Sequence, residues 1–487
     1  MSNSYSSKPL VQKIVHSAIW KGGAMLFANV ASFLAKLILA RLLLPEHFGL
    51  VGMAVVFTGL IQLVESLGIS TALIQRKDED LTTTDLYSGH LGMIGLGFVA
   101  FVFLVLPGSP LVAWFYGEPE LTWIVIALGT PIFVSPFASI TRVQLTRDMR
   151  FDAISKVKMV ATLVAAITAI ALAWAGAGVW AIVAQTLTMS FLQVAIFRIV
   201  YAGPPSGEFS WSALRRLFDY GINVVGYRIA GFAGRNADYL IIGKMVGSAS
   251  LGAYTIAFLL TDSIRSKLMS VLEKVLFPAY SKLQDDVAEI NRYYLGAMRF
   301  NTLLVVPVIC SFLVFGEELL LYGFGSEWEE AVAPLKVLSI AALIASIGGT
   351  NSSVLKAIGK PNLVFKIRLG VSVGLFVPAL LIGIHFFGLI GAAWAVVVNK
   401  TAARIWYHYY LRRDVGTTEW QVLKALSPAL LGLAVMAVIG LVLRSLMNPD
   451  TLFTALVATS LSGLIYLTVV TPLVWSELTA LRRRMRS

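Results

Sequence analysis

Leu39-Ala40-Arg41-Leu42-Leu43-Leu44-Pro45-Glu46-His47-Phe48-Gly49-Leu50-Val51-Gly52-Met53-Ala54 returns roughly 200 residues later as Ile242-Gly243-Lys244-Met245-Val246-Gly247-Ser248-Ala249-Ser250-Leu251-Gly252-Ala253-Tyr254-Thr255-Ile256-Ala257. In both copies a lone cation ends one apolar segment, a short polar break follows, and a Gly and then an Ala open the next. Arg41 to Gly49 and Lys244 to Gly252 have the same spacing, so one offset superimposes cation, Gly and Ala. The chain reads as an internal duplication.

What is duplicated follows from composition. Of 487 residues 57% are hydrophobic and only 14% charged, with a mean hydropathy of +0.78. That leaves too little polar surface to cover a soluble core, so the chain is read as an integral membrane protein. The formal charge of +12 sits in short clusters between apolar segments, where cytoplasmic loops and anionic headgroups attract it, and nucleic acid is not expected as a partner. The single cysteine, Cys310, lies in an apolar stretch and excludes an intrachain disulfide or a cysteine metal cluster. Lys8, Pro9 and Lys13 precede a first apolar segment too long for a signal-peptide core, which reads as a retained span.

A hydrocarbon core needs about 20 apolar helical residues. With that window, segments fall near 17–40, 48–75, 86–106, 121–141, 157–175 and 178–200, then near 218–246, 250–277, 294–315, 332–357, 363–386 and 389–411. Two more, near 423–445 and 452–475, have no counterpart in the first half. The expected fold is an all-α polytopic membrane protein of about fourteen spans: an N-terminal six-helix lobe at 1–205, a C-terminal six-helix lobe at 206–415, and an extra helix pair with a basic tail at 416–487.

Lys and Arg collect after even-numbered spans, as in Arg76-Lys77, Arg142 to Lys158, Arg215-Arg216, Lys274 to Arg292, Lys356 to Lys366 and Arg412-Arg413. The loop between spans nine and ten is instead acidic, with Glu317, Glu318, Glu327, Glu329 and Glu330. Both termini are therefore expected in the cytoplasm. The repeat continues in Gly178-Val179-Trp180-Ala181-Ile182-Val183, echoed by Ala392-Ala393-Trp394-Ala395-Val396-Val397. An even number of spans per half gives the copies one orientation, and such parallel repeats put a pathway at their interface.

Ionisable groups inside spans face a water-filled cavity or pair with a neighbour. Span seven is the most loaded, with Asn223, Arg228, Arg235 and Asp238. Arg228 and Arg235 share a helix face, and Asp238 lies one turn from Arg235. They form either a cationic stripe with Asp238 fixing Arg235 or an internal ion pair locking the helix. Arg228 has no local acid and is the stronger ligand candidate. Span eight adds Asp262, Arg265 and Lys267, as cavity or as surface pair. Span one brings Asn29 and Lys36 on a shared face, with Lys21 toward the headgroups. Glu65 is a carboxylate at membrane depth, a coupling group for protons or sodium or a partner for Lys36 or Arg235. His90 is a titratable candidate or a packing residue. Arg299, Asn301 and Arg404 are weaker candidates near the cytoplasmic side, and Arg41 and Lys244 mark the outer rim, meeting an anion or headgroups.

No phosphate-binding loop, nucleotide fingerprint or metal-spaced His or Cys set appears. The outer loops are too short for a catalytic domain, which disfavours a membrane glycosyltransferase, polymerase or ligase.

Further phrases carry a family resemblance: Gly68-Ile69-Ser70-Thr71-Ala72-Leu73-Ile74-Gln75, Asn236-Ala237-Asp238-Tyr239-Leu240-Ile241-Ile242-Gly243-Lys244, and Leu276-Phe277-Pro278-Ala279-Tyr280-Ser281-Lys282-Leu283-Gln284. With the opening stretch, they resemble the polysaccharide-transporter, Wzx-like branch of the multidrug/oligosaccharidyl-lipid/polysaccharide exporter superfamily, across spans one to twelve. The resemblance implies a MATE/MOP-like fold and a flippase of polyprenyl-diphosphate-linked oligosaccharide in a bacterial inner membrane, working by alternating access. It implies no cofactor, with coupling to a proton or sodium gradient. As partners it implies the lipid-linked oligosaccharide, membrane lipids, a polysaccharide polymerase and chain-length or export proteins. A diphosphate fits Arg228, Arg235 and Lys36, because Arg grips phosphate bidentately. Peptidoglycan-precursor flippases also use cavity arginines, but their pattern does not carry over residue by residue. A drug antiporter of the same fold would need a cavity of acids and aromatics, which span seven argues against.

Overall fold

The computed structural model describes Gly23 and residues 27–65, 68–201 and 207–484. All regular structure among them is helical: α1 (27–42), α2 (Pro45–Glu65), α3 (Ile69–Gln75), α4 (Thr83–Phe103), α5 (Ser109–Tyr116), α6 (Leu121–Val134), α7 (Pro136–Arg147), α8 (Phe151–Trp174), α9 (Val179–Val200), α10 (Trp211–Met245), α11 (Ser248–Lys282), α12 (Val287–Phe324), α13 (Val332–Ile347), α14 (Asn351–Ala357), α15 (Pro361–Leu369), α16 (Val377–Val415), α17 (Glu419–Met447) and α18 (Leu452–Arg484). Nine helices among the described residues are long and apolar enough to cross a membrane, or ten with α6 and α7 as one span bent by 45° at Ser135. The chain is a multi-span membrane protein.

One of those nine runs over 55 residues, Pro361–Val415, which at 1.5 Å per residue is about 80 Å and far exceeds a hydrocarbon core of about 30 Å. It reverses at Gly388, whose φ of 56° and ψ of −137° are open only to glycine. Gly383 and Gly391, on either side, then touch backbone to backbone. The stretch is two crossings joined by a tight turn. Gly178, entering α9, has nearly the same backbone, φ 56° and ψ −131°. The structural repeat thus aligns Gly178 with Gly388, one helical turn away from the Trp180–Trp394 echo in the sequence. A one-turn shift leaves the same face inward, which is why the sequence echo looks convincing.

By contacts the chain divides into two units, Met1–Ala249 and Ser250–Ser487. In the first, α10 packs on α2, α3, α4 and α5, and α6 sits among α2, α4, α5 and α9. The duplication boundary drawn at 205 describes sequence, whereas contact places α10 with the helices before it. In the second, α12 packs on α13 and on the pair α17 and α18, and α13 packs on α16. Gly432 faces the rings and methyls of Tyr466 and Val470, which lets α17 and α18 approach closely.

Caps fix several helix starts. Thr82 and Asp85 form a capping box on α4, and Thr418 and Gln421 form another on α17. The α17 box is tied to α12, because Asn291 Nδ2 donates to Gln421 Oε1 at 3.1 Å. Asp85 does more than cap. It is buried, pairs with Arg76 at 2.8 Å and Arg216 at 3.5 Å, and accepts from Thr82 Oγ1 at 2.8 Å. One carboxylate therefore joins the ends of α3, α4 and α10. Both arginines remain partly in solvent, so Asp85→Ala is expected to cost about 2 kcal/mol rather than the larger figure for a fully buried pair. Thermal melting of the purified protein checks this.

Candidate functional site

The repeat-related stretches meet at their glycines. Gly49 on α2 is buried, and a Cβ there would overlap the backbone carbonyl of Ser248, the first residue of α11. Beside this contact Gly243 of α10 lies on Tyr116 and Met53. Lys244 donates to the Phe115 carbonyl and stands 5.1 Å from the centre of the Phe115 ring. Ser248 Oγ donates to Glu118 Oε1 at 3.1 Å. Lys244 is thus engaged in holding α10 to the end of α5, which accounts for it without a ligand. Arg41 is exposed.

Deeper on α10, Asp238 is buried and its Oδ1 accepts the Tyr239 amide at 3.0 Å. Arg235 is exposed, and the structure does not pair it with Asp238. This corrects the expected one-turn ion pair. Helical side chains tilt toward the N-terminus, so Arg235 lies back over Gly231, its Nη1 3.7 Å from where a Cβ on that glycine would stand, away from Asp238. The short Asp238 side chain takes the local Tyr239 amide as one of its partners. Arg228 sits two turns before Arg235 on the same helix; its side chain, and those of Asn223 and Glu65, lie outside the described residues. Lys21 lies outside them as well. Lys36 is exposed and Asn29 half-buried on α1. His90 is buried on α4, and its Nδ1 finds no hydrogen-bond partner among the described residues.

The second unit has its own polar interior. Arg265 grips Asp262 Oδ1 through Nε at 3.0 Å and Nη2 at 2.5 Å, both side chains largely covered. Asp262 also lines a small cleft with Phe258, Thr261, Leu338, Val396 and Lys400. Asp262, Arg265 and Lys400 therefore gather in this part of the unit. Lys400 escaped the sequence reading because it follows Asn399 at the end of an apolar run, where a cation looks like a helix-end anchor. Its place on α16 opposite α11 and α13 is a tertiary fact.

Toward the other end, the buried Tyr294 hydroxyl donates to Asn351 Oδ1 at 2.8 Å and accepts from Arg404 Nη1 at 3.0 Å. Tyr280 donates to Thr350 at 3.4 Å. These groups brace Gly348–Thr350, where α13 gives way to α14. Arg404 is thus tied into the packing of α12, α14 and α16. Near the C-terminal end of α12 Arg444 binds Glu318 at 2.5 Å and Glu317 at 3.6 Å, and Lys336 reaches Glu317 at 3.3 Å. Glu317 and Glu318, expected in the loop between spans nine and ten, are instead residues of α12 and fasten α17 and α13 to it.

A family model described as "Polysaccharide biosynthesis protein" matches residues 38–333. Among curated proteins, the chain is similar to the lipopolysaccharide biosynthesis protein WzxC of Escherichia coli (strain K12), 23% identical over 414 residues, covering 83% of this chain and 82% of the relative. The teichuronic acid biosynthesis protein TuaB of Bacillus subtilis (strain 168) is 25% identical, covering 74% and 76%. The succinoglycan biosynthesis transport protein ExoT of Rhizobium meliloti (strain 1021) is 24% identical, covering 75% and 72%. Among solved structures, a lipid II flippase MurJ in an inward closed conformation superposes with a TM-score of 0.73 at 14% identity, covering 94% of this chain and all of that one. An inward-facing MATE-family multidrug transporter of the MOP superfamily gives 0.63 at 16%, covering 80% and 94%. At these identities the two structures establish the fold, and the MATE/MOP-like expectation holds.

Proposed function

The chain belongs to the polysaccharide biosynthesis protein family, and from that premise we propose that it is a flippase moving polyprenyl-diphosphate-linked oligosaccharide units across a bacterial inner membrane by alternating access. The observation that carries this is the family match, which runs through both copies of the repeat. The names of WzxC, TuaB and ExoT, which refer to lipopolysaccharide, teichuronic acid and succinoglycan biosynthesis, support the substrate class.

The cations fit that substrate. A diphosphate leaving water needs charge-assisted hydrogen bonds in a low-dielectric setting. Arg228 and Arg235 on α10, Lys36 on α1 and Arg265 on α11 are the groups we assign to it, with Asn29 for the glycan and Glu65, Asp238, Asp262 or His90 for coupling. Fourteen spans, two parallel six-helix lobes and cytoplasmic termini complete the reading, supported by the repeat and by the placement of Lys and Arg. A polymerase and chain-length or export proteins are its proposed partners.

Deleting the gene and following the lipid-linked intermediate tests the reading. The intermediate is expected to accumulate on the cytoplasmic leaflet while polymer falls at least about tenfold, since synthesis precedes translocation and only translocation is lost. Loss of the intermediate itself would point to an enzyme acting earlier and overturn the flippase assignment.

A further inference from the structure

Where α13 stops, three buried side chains from α12 and α13 lie together, linked by hydrogen bonds. Asn301, Thr302 and Ser346 are each at most 1% exposed. Asn301 Nδ2 donates to the Ser346 carbonyl at 2.7 Å, which fixes the amide orientation, because the flipped amide would set two acceptors against each other. Its Oδ1 accepts nothing from any described protein group. Thr302 Oγ1 donates its proton to the Met298 carbonyl at 2.9 Å, and Ser346 Oγ its proton to the Leu343 carbonyl at 2.6 Å. Ser346 Oγ is also placed to donate to Thr302 Oγ1 at 3.5 Å, so the two hydroxyl oxygens are adjacent.

A fully buried amide oxygen with no donor, beside two hydroxyl oxygens, needs something that supplies positive charge or a donor. The backbone adds to this. The helix α13 ends at Ile347 and Gly348–Thr350 break the span, so the last-turn carbonyls and the negative end of the helix dipole lie at this point.

We propose that Asn301 Oδ1, Thr302 Oγ1 and Ser346 Oγ bind a monovalent metal cation, sodium by its preference for neutral oxygen ligands and its single charge. A divalent ion would bring two charges to a site without a carboxylate, whereas the helix end supplies about half a compensating charge. None of the three side chains titrates in the physiological range, so the site reads cation identity rather than pH. Broken spans presenting carbonyl and hydroxyl oxygens are suited to this task. Binding would draw α12 and α13 together across the break. Any effect on export rests on the flippase reading; binding itself does not.

The test is the melting temperature of the purified full-length protein as NaCl replaces choline chloride at constant ionic strength, with KCl as the comparison cation. Sodium is expected to give a saturable rise of about 3 °C or more, larger than potassium at equal concentration. Ser346→Ala and Thr302→Val each remove one oxygen at nearly constant volume and should raise the half-saturating sodium concentration about tenfold. Coincident melting curves in sodium and choline would mean that a structural water fills the cluster, and the proposal falls. A sodium response unchanged in both Ser346→Ala and Thr302→Val would place the cation elsewhere and overturn it equally. The readout needs no transport, so failure of the flippase assignment would leave the result standing.

Discussion

Gly49→Val is expected to leave almost no folded protein in the membrane, and Gly49→Ala to reduce it severely. The reason is backbone against backbone. A Cβ on Gly49 overlaps the Ser248 carbonyl, and unlike a long side chain a carbonyl in the first turn of a helix cannot rotate out of the way. Relief requires α2 and the start of α11 to separate, which also pulls at Gly243 on Met53 and Tyr116 and at the Lys244 link to Phe115. Overpacking a rigid contact costs about 3 kcal/mol or more, against a total stability for a typical domain of about 5–15 kcal/mol. Gly95 on α4 supplies the control, since nothing lies within 4 Å of a Cβ there. Gly95→Ala should fold as well as the parent, with a gain in helix propensity of up to about 1 kcal/mol. Membrane accumulation and melting temperature of the detergent-extracted variants decide the matter. Equal accumulation of Gly49→Val and Gly95→Ala would show that the close approach is not needed.

That glycine also shows how far the sequence was readable. The repeated spacing from cation to glycine was visible in one dimension and signalled a junction. What the glycine touches was not, because the contact joins one copy to the start of the other. The helices were legible because long apolar runs have one solution in lipid, where every backbone group must be satisfied internally. The register of spans six and twelve was off by a turn because Trp180 and Trp394 are conspicuous, while Gly178 and Gly388 reveal their equivalence only through a shared backbone conformation. Among the candidate residues, Asp262 and Arg265 do lie together, as their spacing suggests. Arg235 and Asp238 have the same spacing and do not, since spacing states which groups are neighbours and not which way each one leans. Lys400, Tyr294 and Asn351 gain their meaning from helices far apart in sequence, and Asn301 was seen only as a polar residue near a helix end. Its uncommitted oxygen is visible only once Ser346 is opposite it.

Arg228→Ala is expected to lower polymer export about 100-fold while the protein inserts and accumulates normally. Span seven is the place to look because it concentrates cations where lipid-exposed charge is costly, and Arg228 has no acid within a helical turn. Arg444 and Arg404 are each drawn into contacts within the second unit, with Glu318 and Tyr294, so they have structural duties that Arg228 does not share by sequence position. Two charge-assisted hydrogen bonds to a diphosphate, at about 1.5 kcal/mol each, amount to about 3 kcal/mol. At about 1.4 kcal/mol per factor of ten this corresponds to the expected loss. Arg228→Lys separates geometry from charge: a guanidinium gripping two oxygens should not be replaceable by a point charge, so export should recover only in part. Polymer yield per unit of accumulated protein is the measurement. Wild-type export from Arg228→Ala would remove the cationic path along α10, and full recovery in Arg228→Lys would reduce the residue's role to field rather than grip.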